Sequence, residues 1–504
     1  MPRRLPPRLR YLLAFVAGLF CVFGFAPFYL FPIPVLGYAV LAGLLMTSAS
    51  ARSAAWVGFS FGLGYFVGGV SWVFVSLHVF GGMPAWMAGG ATLIFCAFLA
   101  FYPALACWLS YRLARQRIGA WLLLAPALLG LSEWLRGWLF SGFPWQAPGY
   151  SQVPLSPLAG YAPLLGVYGI TWLVLSSAFL LVACWSKALS RRLRVGLAIL
   201  LLACWGGGAA LRQVEWSEPV GRPISVALLQ GNVAQDKKWL ESELVDTFHR
   251  YRDQTLASRA DLIVLPETAL PIFLHQIPEE YLQQLSDHAR SLGGDILVGV
   301  PEMSRDGSQY YNAVMSLGRA PRQFYRKSHL APFGEYIPLK SVFGVFYQWL
   351  SIPLTDFGRG GLQQRPMQVA GQSVAVDICY EDVFGEEIIE QLPEATLLLN
   401  VTNDAWWGRS AAAMQHLQIA QMRSLETSRP MLRATNTGMT AIINHRGEVD
   451  ATAPWFTRTT LTGTAQGRRG ETPYTRWGNR PAVLLQSAMV LFGVVLGRMR
   501  LRGY

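Results

Sequence analysis

The sequence predicts a polytopic α-helical membrane domain of eight spans joined to an external α/β domain. Three observations carry that reading. Hydrophobic residues make up 52% of the 504, aromatic residues 13% and charged residues only 14%, which no ordinary soluble chain shows. Acidic residues are partitioned: Glu133 stands alone between Met1 and Arg212, whereas the other Asp and Glu residues are spread from Glu215 to Glu471. Long apolar runs fill the first part, and short β-branched runs alternating with polar-faced segments fill the second.

Seven stretches of spanning length occupy roughly 11–28, 30–48, 54–78, 84–110, 119–139, 162–185 and 193–211, and an eighth covers roughly 481–497. Buried core helices would not repeat at this length so often. The expected organisation is a membrane domain over 1–212, an external domain over 213–478, and a last span with a cytoplasmic tail over 479–504. The first span has the basic start and apolar run of a signal peptide. The Phe20-Cys21 junction lacks the small residue that cleavage before a lipidated Cys requires, and an uncleaved anchor is expected.

Basic residues orient these spans, because Arg and Lys are retained on the cytoplasmic side. Arg3, Arg4, Arg8 and Arg10 precede the first span, and Arg52 lies between the second and third. Arg112, Arg115 and Arg117 follow the fourth, Lys187, Arg191, Arg192 and Arg194 the sixth, and Arg498, Arg500 and Arg502 the eighth. Every cluster falls on one side if both termini are cytoplasmic. These residues alone exceed the net charge of +12, so the basic balance is topology and gives no support to nucleic-acid binding. The segment 213–478 is thereby placed outside the cytoplasm, in the periplasm of a bacterium with an outer membrane.

Cys21, Cys96, Cys107, Cys184 and Cys204 all fall within predicted spans, leaving Cys379 alone in the external domain. A thiol in an oxidising compartment is usually paired. A lone Cys is either a small buried hydrophobe or a reactive group, and its neighbours decide between the two.

Strand-like runs in the external domain are ISVALLQ (224–230), ADLIVLP (260–266), GDILVGV near 295, NAVMSL (312–317), RQFYRKSHL (322–330), SVAVDICY (373–380), TLLLNVTND (396–404) and MTAIINH (439–445). Helical candidates are 239–258, 278–292, 384–391 and 411–428. Such alternation predicts sheets covered by helices, with reactive side chains displayed at strand ends.

Three strand ends carry polar residues unsuited to a core: Glu267 after IVLP, Lys327 in FYRKSHL, and Cys379 after AVDI. Singly, a strand-end Glu or Lys reads as a solvated cap. Together they supply what acyl transfer needs: a soft nucleophile, a base for its proton and a cation for the oxyanion. A Cys–His pair is the alternative. His329, two residues beyond Lys327, is the histidine placed to provide it if the strand stays regular.

The segments LPETAL (265–270), YRKSHLAPFGEYIP (325–338), DICYEDVF (377–384) and NVTNDAWWG (400–408) resemble the Glu-Lys-Cys signatures of the nitrilase superfamily. The order fits, as do the spacings of 60 residues from Glu267 to Lys327 and 52 from Lys327 to Cys379. Seven spans before and one after resemble the membrane branch of that superfamily, the apolipoprotein N-acyltransferases. The resemblance covers nearly the whole chain and implies a nitrilase-like αββα sandwich for the external domain. It implies that Cys379 is the nucleophile, Glu267 the general base and Lys327 the oxyanion-holding group. Glu335 corresponds to a second essential glutamate, and Tyr380 and Glu381 to residues supporting the cysteine. Trp239 resembles an aromatic bordering the substrate region. Asp382 is read only as a cap or turn residue.

The implied reaction moves an acyl chain from a phospholipid, through a Cys379 thioester, to the α-amino group of a diacylated apolipoprotein. No cofactor or metal is expected, and the expected state is a membrane-embedded monomer. Two lipid substrates call for a lipid-facing approach. The segment Ala331 to Arg359, with Phe333, Phe343, Phe346, Tyr347 and Trp349, reads as a lipid-contacting lid or as a loop folded into its own core. The loop 141–161 reads as an interfacial rim. Glu133 and Arg136, three apart in the fifth span, are a functional intramembrane pair or a structural one. Gly58, Gly62, Gly64 and Gly68 predict close helix packing. The rivals are a membrane-tethered amidase that transfers to water, and a transporter or scaffold with an external binding domain.

Overall fold

Apolar sequence at this density folds into helices, because a helix satisfies its own backbone and leaves only side chains to face lipid. In the computed structural model, which describes residues 5–114, 117–338 and 356–498, seven helical segments are long and apolar enough to cross a membrane. They are Pro7–Gly24, Ala51–Val70, Ala85–Ala114, Ile118–Arg136, Pro157–Trp185, Arg191–Leu211 and Arg480–Arg498. An eighth apolar helix, Pro32–Met46, is shorter, so the expected second span is present as a helix of only 15 residues. The expected third span stops early. Its helix ends at Val70, and a wide helical turn follows at Ser76–Phe80.

The chain divides into two compact units: Met1–Phe74 with Trp86–Val214 and Trp477–Tyr504, and Val75–Ala85 with Glu215–Arg476. Within the first, the glycine stripe of the Ala51–Val70 helix works on two sides. Gly58 and Gly62 lie against Pro103, Ala100 and Cys107, while Gly64 and Gly68 lie against Phe15, Leu19 and Val22. Glu133 and Arg136 form a buried ion pair, and Arg136 also donates to the carbonyls of Phe143 and Trp145. The pair fastens the loop after its own helix. That loop corrects the rim expectation. Trp145, Tyr150 and Gln152 are fully buried, Tyr65 donates to the Gln146 carbonyl at 2.5 Å, and Trp145 packs on Trp72 at 5.1 Å.

The second unit is built from twelve strands of three residues or more among the described residues. In chain order β1 is Ile224–Gln230, β2 Leu262–Val264, β3 Asp295–Met303, β4 Tyr310–Gly318, β5 Phe324–Arg326 and β6 Met367–Val369. Then β7 is Gln372–Ile378, β8 Leu397–Thr402, β9 Met431–Thr435, β10 Ala441–Ile443, β11 Val449–Thr452 and β12 Thr459–Ala465. Two six-stranded sheets result, ordered β12-β1-β2-β3-β4-β5 and β11-β10-β9-β8-β7-β6. Each has a parallel centre, β1-β2-β3 in one and β7-β8-β9 in the other, flanked by antiparallel strands.

Side-chain alternation explains the layering. Ile224, Val226 and Leu228 of β1 meet Val374, Val376 and Ile378 of β7 and Leu397, Leu399 and Val401 of β8 in one core between the sheets. The other face of the first sheet packs with Tyr251 of the Glu241–Ala257 helix and with Leu282, Leu285 and Ala289 of the Glu279–Ser291 helix. The other face of the second sheet packs with Leu417 and Ala420 of the Ala412–Thr427 helix. The layers are therefore helix, sheet, sheet, helix, as the resemblance implied. Four strands escaped the sequence reading: β6, β11 and β12, which alternate with polar residues at sheet edges, and β9, whose MLRAT carries a charge at its centre. The segment Val75–Ala85 also groups here, with Ser76 Oγ donating to the Trp406 carbonyl at 2.9 Å.

Candidate active site

Glu267 follows β2 by three residues, Lys327 directly follows β5 and Cys379 directly follows β7. The first two arise from one sheet and the third from the other, all where the strands end. Two of these exits are strained. Thr268, next to Glu267, has φ +48° and Cys379 itself φ +55°, left-handed values that non-glycine residues adopt at a cost of order 1–3 kcal/mol each. Gly299 of β3 makes room for the first. A Cβ there would fall 2.8 Å from Glu267 Cα and 2.7 Å from Thr268 N. Gly299→Ala is expected to displace Glu267 and slow any chemistry depending on it about 100-fold, which a rate measured on folded protein of unchanged melting temperature checks.

Around Glu267 the donors are fixed. Asn312 of β4 donates through Nδ2 to Glu267 Oε1 at 2.7 Å and to Glu335 Oε1 at 3.0 Å, and the Asn403 main-chain N–H donates to Glu267 Oε2 at 2.8 Å. Lys327 Nζ is 2.9 Å from each Glu335 oxygen and 3.7 Å from Glu267 Oε1. Burial alone would depress this lysine's pKa, but Glu335 and then Glu267 outweigh it, and the amine is held above its ordinary range. Lys327 is a permanent cation that Glu335 aims.

Cys379 keeps some accessible surface at the strand tip although protein surrounds it. Burial pushes its thiol well above the ordinary value and the charge of Glu267 pushes the same way, against Lys327 and the Thr402 hydroxyl. The resting group is a thiol, so attack by this sulfur would require a base to take its proton. His329 does not provide that base. It turns to Glu387, 2.7 Å away, and stacks on Phe384 at 3.6 Å, because regular strand geometry ends at Arg326.

Glu381 ties the two sheets together at the site. Its carboxyl accepts from the N–H groups of Ser328 (2.6 Å), His329 (2.9 Å) and Ile378 (2.7 Å) and from the Tyr325 hydroxyl (3.0 Å). The exit of Lys327 is thereby pinned to the exit of Cys379. Burial pushes the Glu381 pKa up to about 7, with Lys327 and the three N–H groups opposing. Tyr380 is buried, its ring 5.3 Å from Phe384 and 6.1 Å from His329. Trp239 is partly exposed in the turn after β1, and Phe333, 40% exposed with φ +63°, stands at the start of the aromatic segment. Phe343, Phe346, Tyr347 and Trp349 lie outside the described residues.

Behind Cys379 is a layer that the sequence reading missed. Strand register places Asp377, Asn400 and Arg433 side by side in one row of the second sheet. The row faces His416 of the Ala412–Thr427 helix. Arg433 donates to Asp382 Oδ2 at 3.0 Å and Asn400 Oδ1 at 2.7 Å, and it pairs with Asp404 at 3.3 Å. His416 lies 2.7 Å from Asp382 and 3.1 Å from Asp404. Asn400 Nδ2 donates to the Cys379 carbonyl at 3.1 Å, and His416 Nε2 lies 3.2 Å from the same oxygen. Asp382 does lie in a turn, the short helical turn Cys379–Val383, and its buried carboxylate is in addition a member of the ion network that grips the Cys379 backbone. Burial and Arg433 both lower the His416 pKa, yet Asp382 and Asp404 outweigh them and hold it above its ordinary value. Asp377 is pushed well above the carboxylate range by burial and by Asp382. The one signal in the sequence was Arg433, a charge in the middle of an apolar run.

The sequence matches known proteins over nearly its whole length. Residues 17–180 match the model of the apolipoprotein N-acyltransferase N-terminal domain, and residues 225–474 match the carbon-nitrogen hydrolase model. A curated apolipoprotein N-acyltransferase of Nitrosomonas europaea is 51% identical over 96% of this chain and 97% of its own length. That of Chromobacterium violaceum is 47% identical over 98% and 95%, and that of Methylococcus capsulatus 45% over 97% and 96%. With both domains matched and the relatives aligned end to end, the chain belongs to the apolipoprotein N-acyltransferase family.

Proposed function

We propose that this protein moves an acyl chain from a phospholipid, through a thioester on Cys379, to the α-amino group of a diacylglyceryl-cysteine at the N-terminus of an apolipoprotein. The observation that carries the reading is the convergence of Glu267, Lys327 and Cys379, with Glu335 aiming the lysine and a buried thiol in need of a base. The names of the relatives and the carbon-nitrogen hydrolase match support acyl transfer as the reaction class.

In the first half-reaction Glu267 accepts the thiol proton as sulfur attacks the ester carbonyl, and Lys327 holds the oxyanion. The C–O bond then breaks and Glu267 returns the proton to the departing lysophospholipid alkoxide, leaving the thioester. In the second, the acceptor amine attacks the thioester carbonyl and Glu267 takes an amine proton. The C–S bond breaks, and the proton passes back to the sulfur. Water must be kept out, since hydrolysis of the thioester would release the chain as fatty acid.

The basic clusters at span ends support cytoplasmic termini, a periplasmic catalytic domain and an inner-membrane location. Trp239, Phe333 and the aromatic residues after it serve as the lipid-facing approach, and the protein works as a monomer without a cofactor. Mass spectrometry of the intact protein after exposure to phospholipid is expected to show one acyl adduct on Cys379, absent in Cys379→Ser. Adding a diacylated lipopeptide is expected to discharge it into a triacylated product. Release of fatty acid without triacylated peptide, or no adduct in the wild type, overturns the reading.

A further inference from the structure

Two lysines reach the reaction centre, and among the described residues only one of them meets a carboxylate. Lys327 is held by Glu335 and Glu267. Lys238 is equally enclosed, with 4% of its surface exposed, but among the described residues its side chain makes one hydrogen bond, from Nζ to the main-chain carbonyl of Glu267 at 3.2 Å. An ammonium has three donors, and a buried one without an anionic partner is costly. The environment shows the cost. Burial pulls the Lys238 pKa down to about 8, with the Glu267 charge, and the Cys379 sulfur once ionised, resisting the fall.

The turn carrying Lys238 is bolted to the site. Asn436 accepts from the Val233 N–H at 2.9 Å, donates to the Val233 carbonyl at 2.8 Å and donates to Asn403 Oδ1 at 2.9 Å. Asn403 Nδ2 in turn donates to Gln235 Oε1 at 2.7 Å, and its N–H is the group that holds Glu267. A fixed loop thus delivers a buried cation to the backbone of the base.

We propose that Lys238 is a second, electrostatic positioning cation of the reaction centre, favouring the anionic form of the Cys379 sulfur as Glu267 takes its proton and fixing the Glu267 main chain. The proposal rests on the reading of Cys379 as nucleophile and Glu267 as base. Lys238 itself neither takes nor gives the proton, which passes from sulfur to Glu267.

The test is alkylation of Cys379 by iodoacetamide across pH in the full-length protein, read on the Cys379 peptide, for wild type, Lys238→Met and Lys238→Gln. Both variants are expected to shift the alkylation profile to higher pH by about one unit and to slow acylation from phosphatidylethanolamine vesicles about 100-fold. Both are also expected to melt no lower than wild type. The sign follows from a depressed lysine: between its ordinary value of 10.5 and about 8 the folded state binds fewer protons than the unfolded, so at neutral pH the charge opposes folding. An unmoved alkylation profile overturns the proposal, and so does wild-type behaviour of Lys238→Gln, which would credit the hydrogen bond and not the charge. An unmoved profile with lower melting gives Lys238 a merely structural place. Failure of the acyltransferase reading shows separately, as absence of the acyl adduct in wild type.

Discussion

Glu267→Gln is expected to slow formation of the Cys379 acyl adduct by about three orders of magnitude, within the range that removing a positioned general base produces. The thiol is held protonated, and Glu267 raises its pKa more than any other charge beside it. The amide also disturbs its surroundings. Both Glu267 oxygens accept hydrogen bonds, one from Asn312 and one from the Asn403 N–H. A glutamine offers one oxygen, so its NH2 must face a donor, and that buried clash costs about 1–3 kcal/mol. The variant should therefore melt somewhat lower while remaining folded. Rapid-quench mass spectrometry measures the rate, and adduct formation within tenfold of wild type would show that the base lies elsewhere.

Arg433→Met is expected to cost about 3–5 kcal/mol of stability, as breaking a buried ion pair on one side does, because Asp382 and Asp404 then share only His416. It touches no substrate, yet it also removes the donor that steadies Asn400, which holds the Cys379 carbonyl. Thermal unfolding in detergent checks the first effect. The acyl-adduct rate of the surviving folded fraction checks the second. Lys at this position is not expected to rescue, since one ammonium cannot reach Asp382, Asp404 and Asn400 together.

Much of this molecule was legible because its signals are periodic or compositional. Spanning runs, β-branched runs and three polar strand ends led to the layers and to Glu267, Lys327 and Cys379 before any geometry. What stayed hidden depends on pairing between distant segments. Asn312 sits in an apolar strand and shows its use only when Glu267 and Glu335 converge on it. His416 and Arg433 are 17 residues apart and become partners only when a helix covers the sheet. Asp382 was read only as a cap or turn residue because its partners Arg433 and His416 lie 51 and 34 residues away along the chain, and Lys238 stood unremarked beside Trp239. The loop 141–161 misled for a related reason: aromatic and Pro-rich sequence suits an interface and a buried plug equally, and the carbonyls that Arg136 captures decide between them.

Glu267 and Cys379 follow strands of different sheets, and the last inward residues before each are Val264 and Ile378 in the core between the sheets. That apolar filling is the spacer between the two residues, across which the proton of the proposed reaction would travel. A misfit of about 1 Å in a reacting pair costs about 100-fold in rate. In the proposed reaction the oily interior would thus act as a gauge block: the width of two hydrocarbon side chains would calibrate acid–base chemistry that neither of them touches.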